Sequence, residues 1–141
     1  MTKLHQGGCH CGHVRFEING VPRPVLVCHC SDCMKTVGNS MAATAALNDD
    51  ITITGASLKW YQSSDFAERG FCSDCGAQMF YRRHNTHTIS IAAGMFDDAS
   101  VLKSNGQIYR HAHPGFTPLP EGLPDIDDEY EADHFAMEPR S

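Results

Sequence analysis

The chain has 141 residues and a net charge of −6, with 41% hydrophobic and 20% charged residues. These values predict a single folded domain and exclude a wholly disordered chain. No run of about 18 apolar residues occurs, so no transmembrane helix is predicted. The first residues lack the apolar segment of a signal peptide, and we expect a cytoplasmic protein with reduced thiols.

The acidic residues are concentrated near the C-terminal end. Residues 125–141 contain seven acids and one base, so residues 1–124 have a net charge of zero. A neutral body lacks the basic surface that nucleic acids or anionic membranes would bind, and we expect neither as a partner. We therefore predict one β domain over residues 1–124 and a mobile acidic tail over 125–141, with a short helix over 127–135 as the alternative for the tail.

Short β-strands dominate the predicted secondary structure. Residues 14–18 alternate apolar and polar side chains, as in a strand with one buried face, and turn residues separate the later apolar runs. The predicted strands are residues 14–18, 25–28, 41–47, 51–54, 58–61, 67–72, 79–82, 88–92 and 108–111. A helical turn can follow Cys33, over residues 34–37. We predict an all-β domain that ends in an irregular, proline-rich strap over residues 113–124.

Seven cysteines fall into three close groups in the sequence. An odd number disfavours a disulfide framework, and such close spacing in a reducing compartment is typical of metal ligands. The alternative is a set of buried free cysteines that pack as small apolar side chains. The groups are Cys9 with Cys11, then Cys28 with Cys30 and Cys33, and finally Cys72 with Cys75.

The first and third groups together provide four thiolates. Cys9 and Cys11 lie two residues apart, so their side chains share a face if the segment is a strand. Cys72 and Cys75 have the spacing of a zinc-binding turn. Four cysteines form the closed, tetrahedral donor set of a structural zinc. Such a site would tie the first strand of the domain to a hairpin in its second half.

The middle group provides three thiolates, Cys28, Cys30 and Cys33. Three protein ligands leave a fourth position open, which is the stoichiometry of a catalytic zinc. This site would carry a charge of about −1 and accept a soft ligand such as a substrate thiol. An iron–sulfur cluster, which would need a fourth ligand, and a redox thiol set are the alternatives. If the strand continues, the His29 side chain points away from Cys28 and Cys30. His29 then contacts the metal ligands without binding the metal, or it has a structural role.

These groups and their neighbours resemble the glutathione-dependent formaldehyde-activating enzyme family. The resemblance covers about residues 6–124, and its motifs are Gly7-Gly-Cys-His-Cys-Gly12, Val14-Arg-Phe16, Cys28-His-Cys-Ser-Asp-Cys33 with Gly38, Phe71-Cys-Ser-Asp-Cys-Gly76, and Ile89-Ser-Ile-Ala-Ala-Gly94 with Asp97-Asp98. It implies a β-tent, in which antiparallel sheets are joined at a structural zinc. It also implies two zinc ions, a structural one on Cys9, Cys11, Cys72 and Cys75 and a catalytic one on Cys28, Cys30 and Cys33.

The resemblance implies a carbon–sulfur lyase. The founding reaction of the family joins glutathione and formaldehyde into S-(hydroxymethyl)glutathione, so glutathione or a related thiol is the expected co-substrate and an aldehyde its partner. A non-catalytic, zinc-stabilised binding module on the same fold is the alternative. The oligomeric state is left open.

Two further groups of side chains are candidates for parts of this reaction. Proton transfer to an aldehyde oxygen needs a general acid, and the candidates by proximity in sequence are His29, Asp32 and Lys35. Glutathione is an anion, and the candidates for binding its carboxylates are Lys35, Arg82, Arg83 and Arg110.

Overall fold

The computed structural model of the protein describes residues 4–126. This part of the chain forms ten strands and one α-helix, which confirms the predicted all-β class. The elements are β1 (Leu4–Gly8), β2 (Arg15–Asn19), β3 (Val25–Cys28), α1 (Ser31–Val37), β4 (Met41–Leu47), β5 (Ile51–Thr54), β6 (Leu58–Ser64), β7 (Ala67–Cys72), β8 (Gln78–Arg83), β9 (Thr88–Ala92) and β10 (Ser104–Ile108), with 3₁₀ turns at Asn48–Asp50, Ala93–Met95, Ala99–Val101 and Arg110–Ala112.

The strands form two sheets. A three-stranded antiparallel sheet has the order β1-β2-β5, and a seven-stranded sheet has the order β10-β3-β4-β9-β8-β7-β6. Every pair in the larger sheet is antiparallel except β10 with β3, which are parallel. The larger sheet is therefore antiparallel, as predicted, apart from this one parallel pair at its edge.

The two sheets bury a common aromatic core. The Phe16 ring of β2 makes edge-to-face contacts with Phe80 of β8 at 5.9 Å and with Phe96 at 5.2 Å. Ile89 and Ile91 of β9 belong to the same cluster. Because side chains alternate along a strand, Ser90 between them faces the opposite side of the larger sheet. That opposite side is therefore available for a polar site.

Two segments differ from the prediction. Strand β1 was missed because its sequence, Leu-His-Gln-Gly-Gly, has no apolar alternation, and it is held as a strand by pairing with β2 from Leu4 to Gly8. The predicted strand over 108–111 is wrong beyond Ile108. The chain instead extends over Ser104–Ile108, because backbone pairing with β3 overrides the weak strand preference of a Ser-Asn-Gly sequence.

The helix begins three residues before the predicted helical turn, at Ser31. Cys30 caps it, since its Sγ accepts a hydrogen bond from the Cys33 amide at 3.3 Å. Gly38 ends it in the left-handed conformation, with φ of 88°. None of the helices in the described part of the chain is long and apolar enough to cross a membrane.

The irregular strap is confirmed, and it docks along β10. The Gln107 amide donates to Pro124 O at 2.9 Å, and the Ile126 amide donates to Gln107 O at 2.9 Å. Backbone pairing therefore reaches past the predicted domain boundary at residue 124. The rest of the predicted acidic tail, and the alternative helix over 127–135, lie outside the described residues.

Gly7 allows β1 to approach the core closely. A Cβ at this position would lie 2.3 Å from Met95 O and 2.4 Å from the Phe16 ring. We expect Gly7→Ala to lower the free energy of unfolding by about 1–3 kcal/mol, because the added methyl group overpacks the core. Gly94→Ala is the control, since a Cβ there meets nothing within 4 Å. Urea unfolding of both variants measures the effect, and equal stability of the two would contradict this packing.

Candidate metal centre

The first and third cysteine groups meet in one cluster between the sheets. The Sγ atoms of Cys9 and Cys11 lie 3.6 Å apart, those of Cys11 and Cys72 lie 3.7 Å apart, and all four, including that of Cys75, lie within 4.8 Å of one another. Four sulfurs bound to one ion at about 2.3 Å are about 3.8 Å apart. The four cysteines are free thiols, and the cluster therefore has the size and donor set to hold zinc.

Two similar turns bring these four sulfurs together. Cys9 and Cys11 lie in the turn between β1 and β2, so the strand alternation invoked for them is wrong. In each turn the residue after the second cysteine is a glycine with positive φ, Gly12 at 83° and Gly76 at 77°. The two glycine amides donate back to the carbonyls of Cys9 and Cys72, at 3.2 and 2.8 Å. Glycine adopts this backbone without steric cost, which closes both turns around their sulfurs.

A polar contact also joins the two turns. Asp74 accepts a hydrogen bond from the Ser57 hydroxyl and lies 2.7 Å from His13 Nδ1. Both hydrogen bonds lower the pKa of the Asp74 carboxyl, and the bond from Ser57 has the larger effect. The contact holds the β1–β2 turn against the β7–β8 turn beside the four-cysteine cluster.

The middle group forms a second cluster at the end of β3. Cys28 is the last residue of that strand, Cys30 caps α1, and Cys33 lies in the first turn of the helix. Their Sγ atoms lie within 4.8 Å of one another. Hydrogen bonds with the thiols of Cys28 and Cys33 lower the pKa of Cys30 to about 2, and the same sharing raises the pKa of Cys28. The cluster therefore favours one thiolate, at Cys30.

The three-cysteine cluster opens into a cavity of about 470 Å³ on the outer face of the seven-stranded sheet. This volume is in the usual range for a small-molecule site. The cavity wall includes Leu26, Met41, Tyr81 and Ser90 from four neighbouring strands. Three sulfurs with a cavity beside them leave room for a fourth ligand that comes from solution. The four-cysteine cluster has no place in the lining of this cavity.

A buried arginine, which the sequence analysis missed, completes the cavity. Arg69 of β7 is only 4% exposed. Its Nη2 donates to Cys33 Sγ at 3.7 Å, and its guanidinium lies 4.9 Å from the centre of the Tyr81 ring. Burial acts to lower the pKa of Arg69, but the hydrogen bond and charge of Cys33 raise it above the ordinary value. The only sequence signal was its position two residues from Ala67, on a buried face of a strand.

His29 is fully buried and both of its ring nitrogens are engaged. Nε2 lies 2.9 Å from Gln107 Oε1, and Nδ1 lies 2.5 Å from Ser40 Oγ. Gln107 Nε2 donates to Leu123 O at 2.8 Å, so its Oε1 faces His29 as an acceptor. Nε2 therefore donates to Gln107, and Nδ1 shares a hydrogen bond with the Ser40 hydroxyl. His29 therefore links the loop of the three cysteines to the strap, and neither cysteine cluster includes it as a ligand.

The other predicted candidates separate into two sets. Asp32 and Arg83 line the cavity, whereas Lys35, Arg82 and Arg110 do not. Arg82 lies on the other face of β8, where its Nε donates to Glu68 at 2.6 Å and its guanidinium lies 3.9 Å from the Trp60 ring centre. Arg83 stacks over Phe66 at 4.9 Å. The alternation of a strand thus selects the second of two adjacent arginines for the cavity.

Known proteins resemble the chain in sequence and in fold. The model of the glutathione-dependent formaldehyde-activating enzyme family matches residues 4–112. A crystal structure of a Rhodobacter sphaeroides protein superimposes with a TM-score of 0.57, at 23% identity, over 85% of this chain and 97% of that one. At this identity the structural match supports the fold alone.

Three curated relatives align with part of the chain. Proteins of Halomonas elongata and Talaromyces marneffei, both named "Putative glutathione-dependent formaldehyde-activating enzyme", are 36% identical over 86 residues and 32% over 85 residues. An uncharacterized lyase of Schizosaccharomyces pombe is 25% identical over 81 residues. These matches cover 55–57% of this chain and 55%, 45% and 59% of the relatives. The chain thus spans about half the length of the curated relatives it matches.

The link from His29 to the strap can be tested at Gln107. Gln107→Leu leaves the His29 Nε2–H donor and the Leu123 carbonyl without partners, and each such group costs about 1–3 kcal/mol. We expect the free energy of unfolding, measured in urea, to fall by about 2–6 kcal/mol. Gln6→Leu is the control, because the Gln6 contact with Glu17 is exposed, and it should change by less than about 0.5 kcal/mol. A similar small change at Gln107 would show that the link contributes nothing to stability.

Proposed function

We propose that this chain, which belongs to the glutathione-dependent formaldehyde-activating enzyme family, is a zinc-dependent carbon–sulfur lyase. Its substrate would be a thiol–aldehyde adduct, as in the synthesis of S-(hydroxymethyl)glutathione. The observation that carries the proposal is the cluster of three cysteines beside a cavity that contains arginines. The family name and a relative named as a lyase support the reaction class.

The two cysteine clusters would hold two zinc ions in different roles. Cys9, Cys11, Cys72 and Cys75 supply four ligands, which closes a site and leaves it structural. Cys28, Cys30 and Cys33 supply three ligands, which leaves one position for substrate. Zinc bound there would keep a substrate thiol in its reactive thiolate form. Thiolate-only donor sets favour zinc over hard cations such as magnesium.

The reaction itself needs only the two substrates and a proton transfer. A sulfur electron pair forms the new C–S bond while the carbonyl pair of the aldehyde moves onto its oxygen, and that oxygen then takes a proton. The reverse sequence breaks the C–S bond and releases the thiol and the aldehyde. Asp32 lines the cavity and is a candidate to exchange the proton. His29 is less suited, since both ring nitrogens are engaged away from a substrate.

The cavity also suits an anionic thiol such as glutathione. Arg83 lines it, and among residues 4–126 its guanidinium has no carboxylate partner. Stacking on Phe66 holds the Arg83 side chain while its N–H donors stay available. A carboxylate of the substrate would supply the missing acceptor in a charge-assisted hydrogen bond. Arg82, which already pairs with Glu68, is a poorer candidate for this contact.

Metal content tests the two-site assignment. We expect two zinc ions per wild-type chain and one in Cys30→Ser, with the fold retained. Cys72→Ser should fail to fold, because structural zinc contributes about 10–16 kcal/mol, which exceeds the stability of many domains. Ser31→Ala, next to Cys30, is the control. Elemental mass spectrometry and thermal unfolding measure both effects, and two zinc ions in Cys30→Ser would rule out the open site.

Binding and turnover of glutathione test the function. Calorimetry should show wild-type binding that Cys30→Ser abolishes and that Arg83→Met weakens about tenfold or more, the value of one charge-assisted hydrogen bond. Arg82→Met should bind as wild type does. NMR exchange between glutathione and its hydroxymethyl adduct in formaldehyde should be faster with the wild-type protein. Binding that survives Cys30→Ser, without faster exchange, would favour the non-catalytic binding module instead.

A further inference from the structure

The Arg69 guanidinium has more hydrogen-bond donors than the folded chain uses. Its Nη2 and Nη1 donate to sulfur atoms, Cys33 Sγ at 3.7 Å and Met41 Sδ at 3.6 Å. Its Nε has no hydrogen-bond partner among residues 4–126. Sulfur is a weak acceptor, and a guanidinium has five N–H donors. A buried cation that lacks any oxygen acceptor is costly, which indicates that a ligand provides one.

The surroundings of Arg69 hold this cation at the cysteine cluster. Arg69 lines the cavity, and it is the register partner of Tyr81 on the neighbouring strand β8. The guanidinium lies 4.9 Å from the centre of the Tyr81 ring, and Arg69 is only 4% exposed. The guanidinium is thus preorganised, and binding an anion there requires little reorganisation. No ion pair between Arg69 and a carboxylate occurs within the described residues.

We propose that Arg69 is a catalytic residue that binds the oxygen atom of the thiol–aldehyde adduct. This role rests on the proposed function. When the sulfur adds to the carbonyl carbon, the carbonyl electron pair moves onto the oxygen, which becomes an alkoxide before it takes a proton. That oxygen is two bonds from the sulfur. A substrate sulfur placed beside Cys33 therefore brings the oxygen next to the guanidinium that already contacts Cys33.

The other charged groups of the cavity are less suited to this oxygen. Asp32 can exchange the proton with this oxygen but has no N–H donor to hold it as an alkoxide, and Arg83 stacks on Phe66. Arg23 directs its N–H donors to the backbone carbonyls of Pro24 and Ala43, each at 3.3 Å. Arg69, by contrast, donates directly to a sulfur of the three-cysteine cluster. In this proposal Arg69 binds the reacting oxygen of the substrate, and Arg83 binds a carboxylate farther along the same substrate.

Two small thiols isolate the contribution of the oxygen. Thioacetate carries sulfur and oxygen on one carbon, as the adduct does, whereas ethanethiol has a similar size and lacks the oxygen. Calorimetry of both probes with metal-loaded, full-length wild type and Arg69→Met measures the effect, and the zinc content of each protein is determined in parallel. We expect Arg69→Met to weaken thioacetate at least about tenfold more than it weakens ethanethiol. Arg82→Met, also an arginine of this sheet but outside the cavity, should leave both affinities unchanged.

A second variant covers the case in which Arg69→Met does not fold or loses its metal. Arg69→Lys keeps the positive charge beside the thiolates, but its compact ammonium lacks the planar fork of N–H donors that reaches both Cys33 and a neighbouring oxygen. We expect it to retain zinc and to lose the extra affinity for thioacetate. Equal weakening of the two probes in the folded, metal-loaded variants overturns the role of Arg69 and leaves the lyase proposal standing. Failure of the wild type to bind either thiol overturns both.

Discussion

The four-cysteine cluster is the constraint on which the arrangement of this fold depends. Its sulfurs come from the β1–β2 turn of the small sheet and the β7–β8 turn of the large sheet, so a metal ion held there would fix the two sheets to each other at one end. The buried rings of Phe16 and Phe80 then fill the space between the sheets. With the inner face of the large sheet committed to this core, its outer face is the one that can carry a polar cavity. The four-cysteine cluster and the cavity thus lie on separate parts of the domain.

Strand alternation divides neighbouring residues between these two environments. Ser90 faces the cavity while Ile89 and Ile91 lie in the core, and Arg83 faces the cavity while Arg82 faces Trp60. The part of the cavity wall built on paired strands is rigid, because those residues are held by the backbone hydrogen bonds of the sheet. Rigid placement favours interactions with a transition state, since little reorganisation is needed when charge develops.

Much of the fold could be predicted from the sequence because its strands carry apolar runs between turn residues. Strands β3, β4, β5, β7 and β9 have the predicted bounds. Where local signals are weak, prediction failed: β1 and β10 are strands because of the partners they pair with, and pairing between distant segments leaves no local pattern. The cysteine groups were visible because ligand spacing is local. Arg69 was missed because only the tertiary structure shows that a single arginine in a strand is buried beside Cys33.

Net charge proved a poor guide to the electrostatics of the site. Residues 1–124 are neutral in total, yet three arginines and one carboxylate, those of Arg23, Arg69, Arg83 and Asp32, line one cavity. The three cysteines would offset part of this excess: as thiolates with a divalent zinc they would leave a charge of about −1, which the buried Arg69 would balance. A substrate thiolate would add one more negative charge, and the carboxylates of glutathione further ones. A cavity that places arginines around three cysteines would therefore suit the anionic thiol proposed as substrate, although residues 1–124 are neutral in total.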